Sequence, residues 1–465
     1  MDETKGVAEA FRDRWVFLTG VTGFLGSVLL EKLVRSCPHL AGVYVLIRKK
    51  KKFTDVQQRL ETVLSLPLFC RVDKDLLRSK VVAVEGDVSL NGLGLEDVAR
   101  RMVIERCHFV FHVAANINFN AALHQALSVN LAGTQRVLQL AKDMVNMKGF
   151  VYVSTAYCNC TQRDVVAEKV YPNRWEVDRL LRILAEQPPD VINGSTDRIL
   201  GGHPNTYTFT KLMAENLIAS ERGDLPVAIV RPSIVIGTLC DPIAGWVDNV
   251  QSGAFAFIAG AGRGVFRTLP ATGSRVADIV PADQLVALLL AAAWRIADTG
   301  RLQVFHFTSG GRNPVTWSEY CRLAVTKLRE NPCTGLILYP RASCRSPTTV
   351  RHALYVAMAH YAPAYLLDTL AKICGDKPIL LDIQYKYSKG MAHTDYFTRN
   401  EWNFSTANTE DLWSILGETD AKEFSFDVGK INWPTYIENC VLGVREYYHK
   451  QPRSTLPAAR KYLKL

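Results

Sequence analysis

The 465 residues comprise 48% hydrophobic and 22% charged side chains, an ordinary globular balance in a chain too long for one typical domain. Lys and Arg number 55 against 45 Asp and Glu, a net charge of +10; no nucleic-acid motif and no basic–aromatic interleaving accompany it, so nucleic acid is excluded and a polyanionic small molecule or an anionic membrane surface is left. Eleven scattered cysteines, an odd number, exclude a disulfide framework and point to a reducing, intracellular compartment, and Cys158-x-Cys160 is too little for a zinc site, so no metal is expected.

Met1 to Asp13 mixes acids and bases without the apolar centre of a secretory signal. Val16, Phe17 and Leu18 then read as a buried parallel strand, and Phe24 to Arg35 has the apolar spacing of a helix. Between them lies Thr19-Gly20-Val21-Thr22-Gly23-Phe24-Leu25-Gly26, a G-x-x-G-x-x-G turn. Glycines there permit a tight turn and let a pyrophosphate approach the amides at the helix start, so Thr19, Gly20, Thr22, Gly23, Phe24, Leu25 and Gly26 are candidate dinucleotide ligands. Gly42 to Ile47 is a second strand ending at Arg48, with Lys49 to Lys52 behind it. A basic residue at that strand end accommodates a 2′-phosphate, which points to NADPH rather than NADH.

Asp55 to Leu64 reads as a helix and Val81 to Val84 as a third strand, closed by a turn in which Asp87 and Val88 face the cofactor and Asp87 can accept from an adenine amino group. Phe109 to His112 is a fourth strand; the small residues Ala114 and Ala115 after it allow close approach. His108 and His112 are two apart with no suitably spaced carboxylate and read as structural. Leu123 to Met144 has a long helical pattern whose apolar face is interrupted at Asn130, a further cofactor candidate, and at Gly133-Thr134. Phe150 to Ser154 is a fifth strand and Val227 to Val230 a sixth, the latter ending in Arg231-Pro232-Ser233, of which Pro232 and Ser233 are assigned to the cofactor. Strand and helix alternate throughout, which predicts a Rossmann-like, doubly wound parallel α/β sheet.

Between the last two strands, Gln162 to Asn205 is a loose excursion containing a predicted helix over Trp175 to Glu186. It leads into Tyr207-Thr208-Phe209-Thr210-Lys211 on a helix running to about Ala219. Four apart, Tyr207 and Lys211 share one face. A free phenol has a pKa of about 10, and a lysine ammonium one turn away is expected to lower it into the working range; Lys211 can also hydrogen-bond a nicotinamide ribose, so Tyr207 and Lys211 are cofactor candidates as well. Ser154 and Thr155 end the fifth strand, where open α/β sheets bind ligands. Either hydroxyl could orient a substrate carbonyl, Thr155 being favoured. Gly245 to Gly264 is apolar without a clean period, Gln284 to Trp294 reads as a short buried helix, and the proline-bearing stretch from Arg329 to Thr349 as a linker. His352 to Tyr448 alternates helical patterns with aromatic-rich turns. Its uncharged run, Ala353 to Leu367, is shorter than the ~20 residues needed to span a bilayer.

T-G-V-T-G-F-L-G, L-I-R-K-K, H-V-A-A, V-S-T-A-Y, Y-T-F-T-K and R-P-S, in this order, resemble the extended short-chain dehydrogenase/reductases. Gly245-Trp246-Val247-Asp248-Asn249 through Gly264, Val276 to Asp283, and the tail Phe397 to Tyr448 with Trp433-Pro434 and Tyr436 are similar to the alcohol-forming fatty acyl-CoA reductases. The resemblance implies an NADPH-binding reductase domain over 12–328, a linker over 329–351, a smaller, mostly helical C-terminal domain over 352–450 and a basic tail over 451–465. It implies reduction of a long-chain fatty acyl-CoA by two NADPH, through an aldehyde, to a primary alcohol with release of CoA, and Thr155, Tyr207 and Lys211 as the catalytic set. A sugar-nucleotide epimerase, a steroid dehydrogenase, an aldehyde-forming thioester reductase or a non-catalytic NADPH sensor would share the front half of the pattern. Arg460 to Leu465 departs from the hydrophobic anchor many animal members carry, and Lys464-Leu465 only echoes the end of an S-K-L peroxisomal signal. The expectation is peripheral attachment through Ala353–Leu367, with Tyr361 and Leu366 toward lipid, together with the basic tail, at the cytosolic face of the endoplasmic reticulum or peroxisome. Oligomeric state is not legible in the sequence.

Overall fold

The computed structural model describes residues 6–50, 55–250 and 253–463, so Lys51 and Lys52 of the basic run and the terminal Lys464-Leu465 lie outside the described residues. Eleven strands occur among the described residues: β1 (Trp15–Thr19), β2 (Gly42–Ile47), β3 (Val81–Glu85), β4 (Cys107–His112), β5 (Gly149–Val153), β6 (Val227–Pro232), β7 (Ile234–Ile236), β8 (Thr268–Pro270), β9 (Ile279–Pro281), β10 (Leu302–Phe307) and β11 (Ser343–Arg345). Seven of them form one parallel sheet in the order β10-β6-β5-β4-β1-β2-β3. β2, β5 and β6 are buried along their whole length, because helices cover both faces. The order reverses at β1, which lies between β4 and β2, and the crevice at the carboxyl ends of strands at such a switch point is where open α/β sheets bind ligands. The doubly wound α/β expectation is met.

The seventh strand, β10, is an addition to the predicted set. Gln303 and His306 break its apolar run, and only pairing with β6 from Leu302↔Val227 to Phe307↔Pro232 makes it a strand. The Leu123–Met144 pattern is one helical run in three parts: α-helical at Leu123–Ala126, π-helical at Leu127–Leu131 and α-helical at Ala132–Asp143. The π segment carries Asn130, one of the residues that interrupts the apolar face. The buried helix expected over Gln284 to Trp294 extends over Ala282–Thr299.

The chain forms two compact units, and their division is interleaved along the sequence. The first contains residues up to Ser233, Ala282–Thr308 and Trp402–Asp427; the second contains Ile234–Pro281, Ser309–Glu401 and the residues from Val428 on. The segment Trp402–Asp427 lies in the first unit because polar groups there bind it. Trp402 Nε1 donates to the Cys160 carbonyl at 2.9 Å, Phe404 bridges Val166, and Glu168 accepts from Asn408 N at 2.6 Å, from Thr409 Oγ1 at 3.0 Å and from His306 N at 2.7 Å. Long-range pairing of this kind leaves no periodicity in the sequence.

The second unit is mostly helical. Its principal helices are Gly253–Gly262, Trp317–Glu330, a continuous run Val350–Ile373, Leu380–Arg399, Trp433–Gly443 and Leu456–Leu463. The stretch read as a linker is partly structural: its β11 pairs in parallel with β8, and the helix Trp317–Glu330 runs across its expected start. The basic tail is folded as well, with Arg460 donating to the Glu330 carbonyl at 2.8 Å and to Asn331 Oδ1 at 3.2 Å.

Candidate active site

The glycine turn has the geometry of a phosphate cradle. Gly20 sits at φ +83°, and a Cβ there would lie 2.7 Å from Ala114 N; a Cβ on Gly26 would lie 2.2 Å from the Gly20 carbonyl. Any side chain at either position would force β1, β4 and the helix Phe24–Ser36 apart. Gly23 is the N-cap of that helix and has no side chain to cap it, so the first amides point at the turn without an intrahelical acceptor. Phe24 and Leu25 begin the helix. The Thr19 side chain, in contrast, faces inward. Its hydroxyl accepts from Val113 N at 3.2 Å and Ala114 N at 3.1 Å and bonds His112 Nδ1 at 2.8 Å. Thr19 thus ties the ends of β1 and β4 together.

His112 has both ring nitrogens engaged. Nε2 lies 3.1 Å from Thr134 Oγ1, which itself donates to the Asn130 carbonyl at 2.7 Å, so Nε2 carries the proton and Nδ1 accepts from Thr19. Burial, with Lys211 adding to it, pushes this imidazole down to about 3, and it stays neutral. Asn130 is also used internally: its amide donates to Asn116 O and Thr210 Oγ1, both at 3.0 Å, and its carbonyl accepts from Asn116 N at 2.8 Å. It holds the loop carrying Ala114 and Ala115 against the helix Thr206–Glu221.

At the end of β2, Arg48 is exposed and 3.7 Å from Asp87. Asp87 Oδ1 closes its own turn by accepting from Ser89 N at 2.9 Å and Ser89 Oγ at 2.8 Å. The carboxylate expected to meet adenine therefore has one oxygen committed to the turn and the other toward Arg48. Val88 is buried, and its carbonyl accepts from Arg136 at 3.1 Å. A residue the sequence reading missed, Arg59, completes the corner. It donates to the Arg48 carbonyl at 2.5 Å and, at 3.0 Å, to the hydroxyl of Thr22 in the glycine turn. Lys50 is held below its ordinary range chiefly by Arg59, then by burial and Arg48. Three cations thus crowd the edge of the cradle, an arrangement suited to a phosphate. Arg59 lies 11 residues beyond Arg48 on the helix Val56–Leu64, where no local spacing links it to the turn.

Tyr207 opens the helix Thr206–Glu221, whose start is fixed by Asn205 Oδ1 accepting from Thr208 N at 2.9 Å. Its ring stacks on Phe119 at 5.6 Å, and the Thr155 hydroxyl is the neighbouring side chain that favours ionisation of its phenol. The expected lowering of this phenol's pKa is not what the structure has. Burial pushes Tyr207 above its ordinary range, Cys158 adds to the rise and Thr155 opposes it. Lys211 does not supply the compensating charge because its ammonium is turned to the Val153 carbonyl, 2.6 Å away, and lies 4.6 Å from the Tyr152 ring centroid. Burial pulls Lys211 down to about 7 against the opposing pull of Glu215 and Cys158.

The structure separates the two candidate hydroxyls. Ser154 Oγ donates to Glu215 Oε1 at 2.5 Å, whereas Thr155 meets Tyr207. Glu215, one turn after Lys211, was missed by the sequence reading, although the register Tyr207-x-x-x-Lys211-x-x-x-Glu215 places all three on one helix face. It forms a fully buried pair with Arg231, which donates through Nε at 2.9 Å and Nη2 at 2.6 Å. Beyond these, Pro232 offers its carbonyl to Thr155 at 3.5 Å, and the Ser233 hydroxyl is buried with no partner among the described residues. An orphaned donor at a strand end, the glycine cradle and the basic corner are what a dinucleotide would complete. A protonated phenol beside a second hydroxyl can polarise a carbonyl and deliver a proton to it.

Comparison with known proteins gives two family models, both described as male sterility protein: an NAD-binding model over residues 18–289 and a second over 359–451. They follow the order of the chain, whereas the compact units interleave. The chain is 37% identical over 461 residues to fatty acyl-CoA reductase 1 of Homo sapiens and 36% identical to that of Gallus gallus, covering 98% of this chain and 89% of each relative. It is 34% identical to fatty acyl-CoA reductase 2 of Bos taurus over the same shares. Among solved structures it resembles the terminal R domain of the myxalamid PKS-NRPS pathway (TM-score 0.62, 19% identity, 95% of this chain and 93% of that one). The reductase domain of a nonribosomal peptide synthetase from Mycobacterium tuberculosis is similar at TM-score 0.62 and 18% identity, over 96% and 95% of the two chains. At these identities the structural likeness speaks for the fold.

Proposed function

The chain belongs to the male sterility, or fatty acyl-CoA reductase, family, and from that premise we propose that it reduces a long-chain fatty acyl-CoA to a primary alcohol with NADPH as reductant. It is an oxidoreductase that uses a nicotinamide cofactor and acts on fatty acyl-CoA. The observation that carries the finer reading is the meeting of Tyr207 and Thr155 at the carboxyl end of β5, in the same compact unit as the glycine cradle and its basic corner. In this reading the amides at Gly23–Gly26 and the Ser233 hydroxyl hold the cofactor, Arg48 and Arg59 its 2′-phosphate, and the bound cofactor supplies hydride. Thr155 orients the thioester carbonyl and Tyr207 gives its proton to the oxygen. The resulting hemithioacetal breaks its C–S bond and releases CoA as the thiol; with Tyr207 reprotonated from solvent and a second NADPH as reductant, the aldehyde would meet the same two hydroxyls and leave as alcohol. A phenol whose burial keeps it protonated suits this direction, since reduction consumes a proton at the carbonyl oxygen. The scattered cysteines and the lipid substrate support an intracellular enzyme working peripherally at the cytosolic face of the endoplasmic reticulum or peroxisome. No helix of the described residues is long and apolar enough to cross a membrane.

Turnover is tested by incubating pure protein with NADPH and a long-chain acyl-CoA, a nucleotide sugar or a steroid, and identifying the product by mass spectrometry. Fatty alcohol and free CoA are expected from the first alone; no oxidation of NADPH with acyl-CoA overturns the reading. Cofactor choice gives a second expected result. A charge-assisted hydrogen bond is worth about 1.5–3 kcal/mol, so NADPH is expected to be preferred over NADH by roughly ten- to a hundredfold. Arg48→Asp should erase or reverse the preference, and Arg59→Ala should weaken NADPH while sparing NADH. Equal use of both cofactors by the wild type would show that the basic corner does not hold a phosphate.

In the same reading the ammonium of Lys211 would hold the nicotinamide ribose of the cofactor, and the pH profile follows from this lysine. Its ammonium is present below about 7 and is lost as pH rises through that value, while Tyr207 stays protonated throughout. The kcat/KM for the cofactor, which reports groups of the free enzyme, is therefore expected to be level at low pH and to fall about tenfold per unit above a bend near 7. Lys211→Met should be slow and lack the bend. A wild-type profile with no bend between about 6 and 8 removes the charged lysine from the scheme.

A further inference from the structure

We propose that the helical run Val350–Ile373 seats this protein on an anionic lipid surface, lying in the interface without crossing it. The inference rests on the acyl-CoA reading only in choosing lipid as the occupant. The run continues through a π-helical stretch at Ala357–Tyr361. Leu354, Met358, Tyr365, Leu366, Leu370 and Ile373 are all between 48% and 76% exposed. A helix of a globular unit ordinarily turns its large apolar residues inward and its charges outward; this run presents large apolar residues outward. Scattered exposed apolar residues need no explanation, but six on one helical run do.

The charges select the occupant. Asp368 is the one carboxylate in the run, and it is buried, accepting from the amides of Ile379, Leu380 and Leu381 at 2.9–3.0 Å. The exposed charges of the run are cationic and stand near its two ends, Arg351 and Lys372. Beyond it the exposed Asp376 stands beside Lys377, Lys386 is paired with the exposed Asp382 at 2.6 Å and Lys389 adds a cation, so the cationic bias lies in the run itself. An apolar run whose own exposed charges are the cations Arg351 and Lys372, with no exposed acid within Val350–Ile373, matches acyl chains below a layer of anionic headgroups. It suits a second protein surface less, because a helix docking in a protein groove gains from carboxylates as readily as from cations. The expected lipid-facing role of Tyr361 is corrected here: its hydroxyl donates to Ser388 Oγ at 3.2 Å, and its ring lines a cavity of about 490 Å³ with Ala353, Tyr387 and Met391. Leu366 is exposed as expected.

The test is vesicle flotation of the full chain, read as partition and not as turnover, so that it stands or falls apart from the assignment of acyl-CoA as substrate. The vesicles are phosphatidylcholine alone, and phosphatidylcholine with roughly 30% phosphatidylserine, at about 50 mM and 500 mM salt. Wild type is expected to float with the anionic vesicles at low salt and to be largely released at high salt. Leu354→Asp/Met358→Asp/Ile373→Asp should lower partition by ~10-fold or more, since each charge must then enter the apolar layer. Val98→Asp/Val145→Asp, at exposed apolar sites of the first unit, should float like wild type. Should the triple variant fail to fold, Leu354→Ser/Met358→Ser carries the same comparison. The proposal is overturned by wild type that stays at the bottom of every gradient, by a triple variant that floats undiminished, or by equal flotation with neutral and anionic vesicles. It is equally overturned if light scattering shows a wild-type dimer, dissolved by the same substitutions, that does not bind vesicles; the run would then join two copies of the chain.

Discussion

Tyr207→Phe is expected to lower turnover of acyl-CoA by ~100-fold or more, the usual scale for losing a positioned acid, while NADPH binding and thermal stability change little. The expectation comes from what the phenol touches. Its ring is held by Phe119 at 5.6 Å and keeps that contact in phenylalanine, so the fold loses only the hydroxyl and at most one neutral hydrogen bond. A neutral hydrogen bond of this kind contributes about 1 kcal/mol to stability. Its chemical contribution is larger, since without a proton donor the oxygen would gather charge with only Thr155 to meet it. Thr155→Val should give a smaller loss, and the double variant should lose less than the two losses multiplied if both hydroxyls act on one oxygen. Single-turnover measurements separate this from product release. A Tyr207→Phe enzyme with a near-normal rate would falsify the assignment and leave Thr155 without a partner in the scheme.

The second large effect is expected in stability. Glu215→Gln should destabilise the first unit by about 3–5 kcal/mol, because it leaves the Arg231 guanidinium charged, buried and without a counterion. Both members of the pair are 0% exposed. Burial draws Arg231 down while Glu215, with Cys158 and Tyr171, holds it above its ordinary range; without that partner an arginine still does not release its proton in a protein. Its remaining donors are already committed, Nη1 to His306 Nε2 at 3.1 Å and Nη2 to the Lys169 carbonyl at 2.8 Å. His306 in turn donates through Nδ1 to the Ser405 carbonyl at 2.7 Å, and burial pulls it down to about 4, so it stays a neutral acceptor for Arg231. The network therefore spans the helix Thr206–Glu221, β6, β10 and the segment Trp402–Asp427. Urea denaturation or a melting temperature lowered by on the order of 10 °C would register the loss. Glu215→Leu/Arg231→Met should be less harmful than Glu215→Gln, since it removes both charges together. A single-variant cost below about 1 kcal/mol would show that the pair does not hold the unit together. The variant also frees the Ser154 hydroxyl beside Thr155 and removes the charge that raises Lys211, so the bend in its pH profile should move below that of the wild type.

The features legible in the sequence are those whose physics is local. Gly20 needs its left-handed backbone and Gly26 its missing Cβ within one strand–turn–helix, so their spacing alone announced a cradle. Alternating apolar runs announced the parallel sheet, and Tyr207 and Lys211, four apart, had to share a helix face. A residue's electrostatic surroundings are assembled from distant segments, and these only the tertiary structure decided. It directed Ser154 to a carboxylate 61 residues away and left Thr155 to Tyr207. It turned Lys211 to the Val153 carbonyl, so burial rather than the lysine governs the Tyr207 phenol, opposite to the expectation from spacing. It carried Arg59 to Thr22 and Arg48, and drew Trp402–Asp427 into the first unit through Glu168. The exposed side of Val350–Ile373 belongs to the same class. Its uncharged run suggested a lipid-facing stretch, but packing among the described residues decided which side chains face out, leaving Leu366 exposed and turning Tyr361 to Ser388, because burial is a property of what packs against a helix and not of the helix itself.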